Sequence, residues 1–95
     1  MFIILLRFAE NRANAGTFVE GHKAWLKRGF DEGAFLLAGT LGEGQGGAIL
    51  AGGASRQAVE AVVAEDPFVA EKVVSAEILD WSPSMSDARL SFLAA

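Results

Sequence analysis

A chain of 95 residues is expected to form one small domain, spanning residues 1–95. A hydrophobic fraction of 52% against 21% charged residues is apolar for so short a chain, so some apolar surface is expected to meet a partner. The formal net charge of -4, without a clustered basic stripe, argues against nucleic acid, and the absence of cysteine rules out a disulfide frame, a thiolate metal site and a cysteine nucleophile.

The chain opens on Phe-Ile-Ile-Leu-Leu-Arg-Phe-Ala at residues 2–9, apolar at both side-chain parities, which predicts a central β-strand. Phe2, Ile4, Leu6 and Phe8 point one way; Ile3, Leu5 and Arg7 point the other. This run is far shorter than the ~20 residues of a membrane helix and lacks a basic leader, so neither a membrane span nor a signal peptide is expected, and cytoplasmic residence is the default.

Residues 17–32 place Phe18, Val19, His22, Trp25, Leu26 and Phe30 at helical spacing, with Gly33 as the stop. Residues 34–41 read as a second strand and residues 47–51 as a third. The glycine-rich turn Gly42-Glu43-Gly44-Gln45-Gly46 joins them into an antiparallel hairpin. Nothing there ends in the Lys-Ser/Thr of a phosphate loop. Ser55 is the expected N-cap of a second helix carrying Ala58, Val59, Val62 and Val63.

Pro67 disfavours helical angles at Asp66 and ends that helix; residues 73–81 read as a fourth strand, closed by Pro83. The tail, residues 84–95, is expected to form a short helix carrying Leu90, Phe92 and Leu93 onto a partner.

The order βαββαβ with right-handed crossovers predicts an α+β, ferredoxin-like fold: a four-stranded antiparallel sheet with both helices on one face. The other face, roughly 400 Å² of Ile, Leu, Phe and Val, is expected to pack against a second copy, giving a homodimer in the form of a dimeric α/β barrel. The alternative is a monomer whose tail folds over the sheet.

This topology brings three features to one edge of the sheet: His22, Asp66 and the glycine-rich hairpin. A carboxylate that holds one imidazole nitrogen leaves the other free for proton transfer, and an unperturbed imidazole titrates near pH ~6.5. Each residue also has a structural reading. His22 lies on the apolar stripe of its helix, where a satisfied core histidine is ordinary, and Asp66-Pro67 has the form of an N-cap followed by proline at the first helical position. Arg7, alone in an apolar strand, is either an anion-binding group in the pocket or, the favoured reading, half of a rim salt bridge. Trp25 and Trp81 read as core or interface anchors.

The hydrophobic first strand, Gly-His-Lys-Ala-Trp-Leu at 21–26, Leu-Leu-Ala-Gly-Thr-Leu at 36–41 and Asp-Pro-Phe-Val-Ala at 66–70 together resemble the YCII-related (YciI-like) domain family. The resemblance implies a dimeric α/β-barrel fold and a catalytic or ligand-binding dyad at His22 and Asp66. Its wider superfamily includes cofactor-free lactone isomerases, dehydrochlorinases and monooxygenases. Family members often carry Gly-Pro where this chain has Gly39-Thr40, a departure at the expected pocket rim.

The expected function is thus that of a small enzyme of lyase or isomerase type, needing no cofactor and no metal. His22 and Asp66 would be catalytic, and Arg7, Gly39 and Phe68 would bind a small organic substrate. The competing expectation is a non-catalytic homodimeric module that binds a metabolite or supports another enzyme.

Overall fold

The computed structural model describes residues 1–53 and 55–93. Its elements run β1 (Phe2–Phe8), α1 (Ala15–Asp31), β2 (Phe35–Thr40), β3 (Gly46–Ala51), α2 (Arg56–Ala64), α3 (Pro67–Ala70) and β4 (Val74–Asp80). The strands form one antiparallel sheet in the order β2-β3-β1-β4, with both crossover helices on one side: the ferredoxin-like arrangement expected from βαββαβ.

Local chemistry explains where the elements stop and start. α1 ends at Gly33, whose φ is +75° and whose N–H bonds the Phe30 carbonyl at 3.0 Å. Ser55 Oγ accepts from the Ala58 N–H at 3.2 Å and caps α2. α3 begins with Asp66 as N-cap and Pro67 in its first turn, and a Lys72 N–H bond to Val69 O and a Val73 N–H bond to Phe68 O close it.

The alternation of β1 decides what is buried. Phe2, Ile4 and Leu6 are sealed beneath the helices with Ile49, Ala51, Trp25, Val59 and Val63. Trp25 belongs wholly to this core, and its indole N–H reaches the Val62 carbonyl at 2.9 Å, which ties α1 to α2. Ala58, expected on the apolar stripe of α2, is exposed instead.

The opposite parity faces away from the helices, so within a single chain β1 is covered on one side only. Leu37, Leu50, Ile3 and Leu79 stand opposite one another in a row that crosses all four strands. Leu37 is 64% exposed and Leu79 38%. The tail forms a short 3₁₀ helix over Ala88–Leu93; Leu90 and Phe92 are exposed along it, and residues 94–95 lie outside the described residues. Among the described residues no helix is long and apolar enough to cross a membrane.

Candidate active site

Asp66 owes its position to Pro67. The ring forbids α2 to continue, Asp66 is held extended at φ -68° and ψ 121°, and its side chain turns back to accept the Phe68 N–H at 3.0 Å through Oδ1. His22 lies in the second turn of α1, which comes close to α3 because residue 21 is glycine. A Cβ there would stand 3.0 Å from Pro67 Cγ, tighter than an ordinary contact.

This close approach sets His22 Nδ1 2.9 Å from the same Oδ1. Since that oxygen already accepts the Phe68 N–H, the geometry makes Nδ1 a donor and Nε2 the free, basic nitrogen. Asp66 is completely buried, and its Oδ2 has no hydrogen-bond partner among the described residues. His22 is further fixed by the Phe68 ring, stacked on it at 4.2 Å and 9°, and by Trp25 at 5.8 Å. The two readings of Asp66 therefore coincide: one oxygen caps α3 and orients the imidazole.

His22 opens onto a cavity of about 530 Å³ between the helix layer and the sheet, at the hairpin end. Its walls are Leu26 of α1, Phe68 of α3, and Leu6, Phe8, Ile49 and Val74 of the sheet, with Gly39, Thr40, Gly46 and Gly47 at the rim. His22 is the only ionisable side chain among the lining residues. Among the described residues its Nε2 has no hydrogen-bond partner, and it is not sealed from solvent.

Of the five residues expected at the site, His22, Phe68 and Gly39 line the cavity and Asp66 stands behind His22. Gly39 contributes main chain: it pairs with Ala48, which pairs with Leu5, so its side-chain position belongs to the opposite face. Arg7 does not reach the cavity. It shares the parity of Ile3 and Leu5, and its Nη1 bonds Glu77 Oε1 at 2.8 Å on the open face, so the expectation of substrate binding is corrected in favour of the salt bridge. Phe8 of β1 is a further wall, and Arg12 sits over its ring with Cζ 4.3 Å from the centroid. Phe8 was visible in the strand pattern; Arg12, in a short polar loop, left no periodic signal. Among the described residues no group of three or more His, Cys, Asp or Glu side chains gathers as a metal site.

These features define a class: a small ferredoxin-like domain with a histidine and a buried carboxylate paired at the mouth of an apolar cavity. The model of the YCII-related domain matches residues 1–82, and the chain belongs to that family. No curated protein sequence matches it. A similar solved structure is the 5-chloro-2-hydroxyhydroquinone dehydrochlorinase TftG from Burkholderia phenoliruptrix, in complex with 2,5-dihydroxybenzoquinone. It is 19% identical, with a TM-score of 0.68 over 85% of this chain and 93% of that one. At that identity the likeness concerns the fold.

Proposed function

We propose that the chain is a cofactor-independent enzyme of lyase or isomerase type, in which His22 transfers a proton on a small organic substrate and Asp66 orients it. The observation that supports this most is the 2.9 Å contact from His22 Nδ1 to a fully buried carboxylate, with Nε2 left unpartnered at a largely apolar cavity. In the reaction Nε2 takes a proton from a carbon next to a carbonyl, and the electron pair moves into the carbonyl. The imidazolium, paired with Asp66, then returns the proton to another carbon; in the elimination variant the enolate collapses, a leaving group departs with its bonding pair, and the imidazolium gives its proton to that group or to water. The apolar walls exclude water and strengthen the ion pair formed in mid-reaction.

The test is turnover of a panel of lactones, chlorinated diols and hydroxylated quinones, the last suggested by the ligand of the fold neighbour. His22→Gln is expected to lower kcat by about a hundredfold or more for any compound the wild type converts, with unchanged circular dichroism. Equal turnover by the variant would leave a binding or accessory module as the better reading.

We also propose that two copies pack through their open sheet faces and that the protein works in the cytoplasm. The supporting feature for the pair is the row Leu37, Leu50, Ile3 and Leu79, too apolar a stripe to leave in water. Sedimentation is expected to give twice the chain mass for wild type and a single chain mass for Leu37→Glu combined with Leu79→Glu. A wild type that sediments as one chain would sink the pairing.

A further inference from the structure

The cavity leaves one requirement open. Its walls carry no lysine or arginine, and the chain bears a net charge of -4, so an acidic substrate would meet a repulsive field with no local compensation. With Arg7 committed to Glu77 on the far side of the sheet, the cation in contact with a cavity wall is Arg12, which stacks on Phe8.

We propose that Arg12 recognises an acidic group on the substrate, so that the cavity takes a small organic anion with an apolar body. This rests on the cavity being the substrate site. The guanidinium is held 4.3 Å above the ring of Phe8, itself a cavity wall, and has no carboxylate within 4.0 Å among the described residues. Glu10 and Glu71 are near in the same loops, yet neither pairs with it. The aromatic face orients the cation without neutralising it, which leaves its hydrogen-bond donors for an incoming anion.

The backbone beneath Arg12 is fixed at several points. Its N–H bonds Ala9 O at 3.1 Å, Asn11 N–H bonds Lys72 O at 3.0 Å, and Asn11 Nδ2 bonds Glu71 O at 2.9 Å. Those bonds also hold the Lys72 backbone beside the β1–α1 loop. Lys72 occupies a left-handed position, φ +59°, that glycine would fill with less strain, and it too lacks an ion pair among the described residues. Arg12 and Lys72 thus lie on adjoining segments joined by the Asn11–Lys72 backbone bond, and neither pairs with a carboxylate among the described residues.

The experiment compares benzoate with benzamide, which share a ring and differ in charge. Each is titrated into wild type, Arg12→Gln and Arg12→Lys while the His22 ring signals are followed by NMR. Benzoate is expected to bind wild type more tightly than benzamide, and Arg12→Gln to weaken benzoate roughly five- to tenfold while benzamide changes by less than about twofold. Arg12→Lys should recover part of the loss, because the charge is kept and the planar fork is not. Equal affinities for benzoate in wild type and Arg12→Gln, or equal losses for both probes, would overturn the role of Arg12 and leave the cavity reading intact. If neither probe moves the His22 signals of the wild type, the cavity reading fails and takes this inference with it.

Discussion

Asp66→Ala is expected to destabilise the domain by about 2–3 kcal/mol and to lower turnover, though by less than replacing His22. Two groups lose their acceptor together: the Phe68 N–H at the start of α3 and the His22 Nδ1–H, both of which point at Oδ1. A lost cap costs ~1 kcal/mol and a part-buried unpaired donor ~1–3 kcal/mol, offset in part because the unpartnered Oδ2 is removed as well. Asp66→Asn separates the two roles. Its amide oxygen still caps α3, so the urea midpoint should move little, yet a neutral amide cannot stabilise the imidazolium that forms when Nε2 takes a proton, and kcat should fall by about 10² or more. An Asn variant with wild-type turnover would reduce Asp66 to a helix cap.

The second large effect lies in the hairpin. Gly46→Ala is expected to lower stability by about 3 kcal/mol and to distort the cavity rim. Gly46 has φ +136°, outside the range open to other residues, and an added Cβ would overlap the Leu6 carbonyl oxygen in the central strand. The clash is with backbone in the middle of a sheet, so no side chain can turn aside to relieve it. Gly39→Ala is the control: an ordinary φ and nothing within 4 Å of the new methyl predict an almost unchanged urea midpoint. Equal midpoints for the two variants would mean that the β1–β3 end yields more easily than its geometry implies.

The framework was legible in the sequence because its signals are local. The apolar run of β1, Ser55 at the start of α2, Gly33 after α1 and Pro67 after Asp66 each depend on a few neighbouring residues, and each gave the element or boundary found, within one or two residues. The meeting of His22 with Asp66 was legible at one remove, through the topology. Three things were not. The cap and the histidine contact looked like rival roles because a residue letter does not show that one oxygen can accept twice. The direction of Arg7 was written in its parity with Ile3 and Leu5, whereas its partner, Glu77, is a cross-strand neighbour that only the pairing of β1 with β4 reveals. Arg12 over Phe8 is a contact between a loop and a strand, and no spacing rule reports such contacts.

The brevity of α3 has a dynamic consequence. Four residues, Pro67–Ala70, are too few to sustain a helical turn in water, so this segment persists only while docked on α1 and β4. Each time it breathes away from the body of the domain, the imidazole loses both the oxygen that aims it and the ring that backs it, although the sheet stays whole. The fraction of molecules in which His22 is held by Asp66 and Phe68 is therefore set by the local opening equilibrium of one short segment, which can rise well before the domain as a whole unfolds.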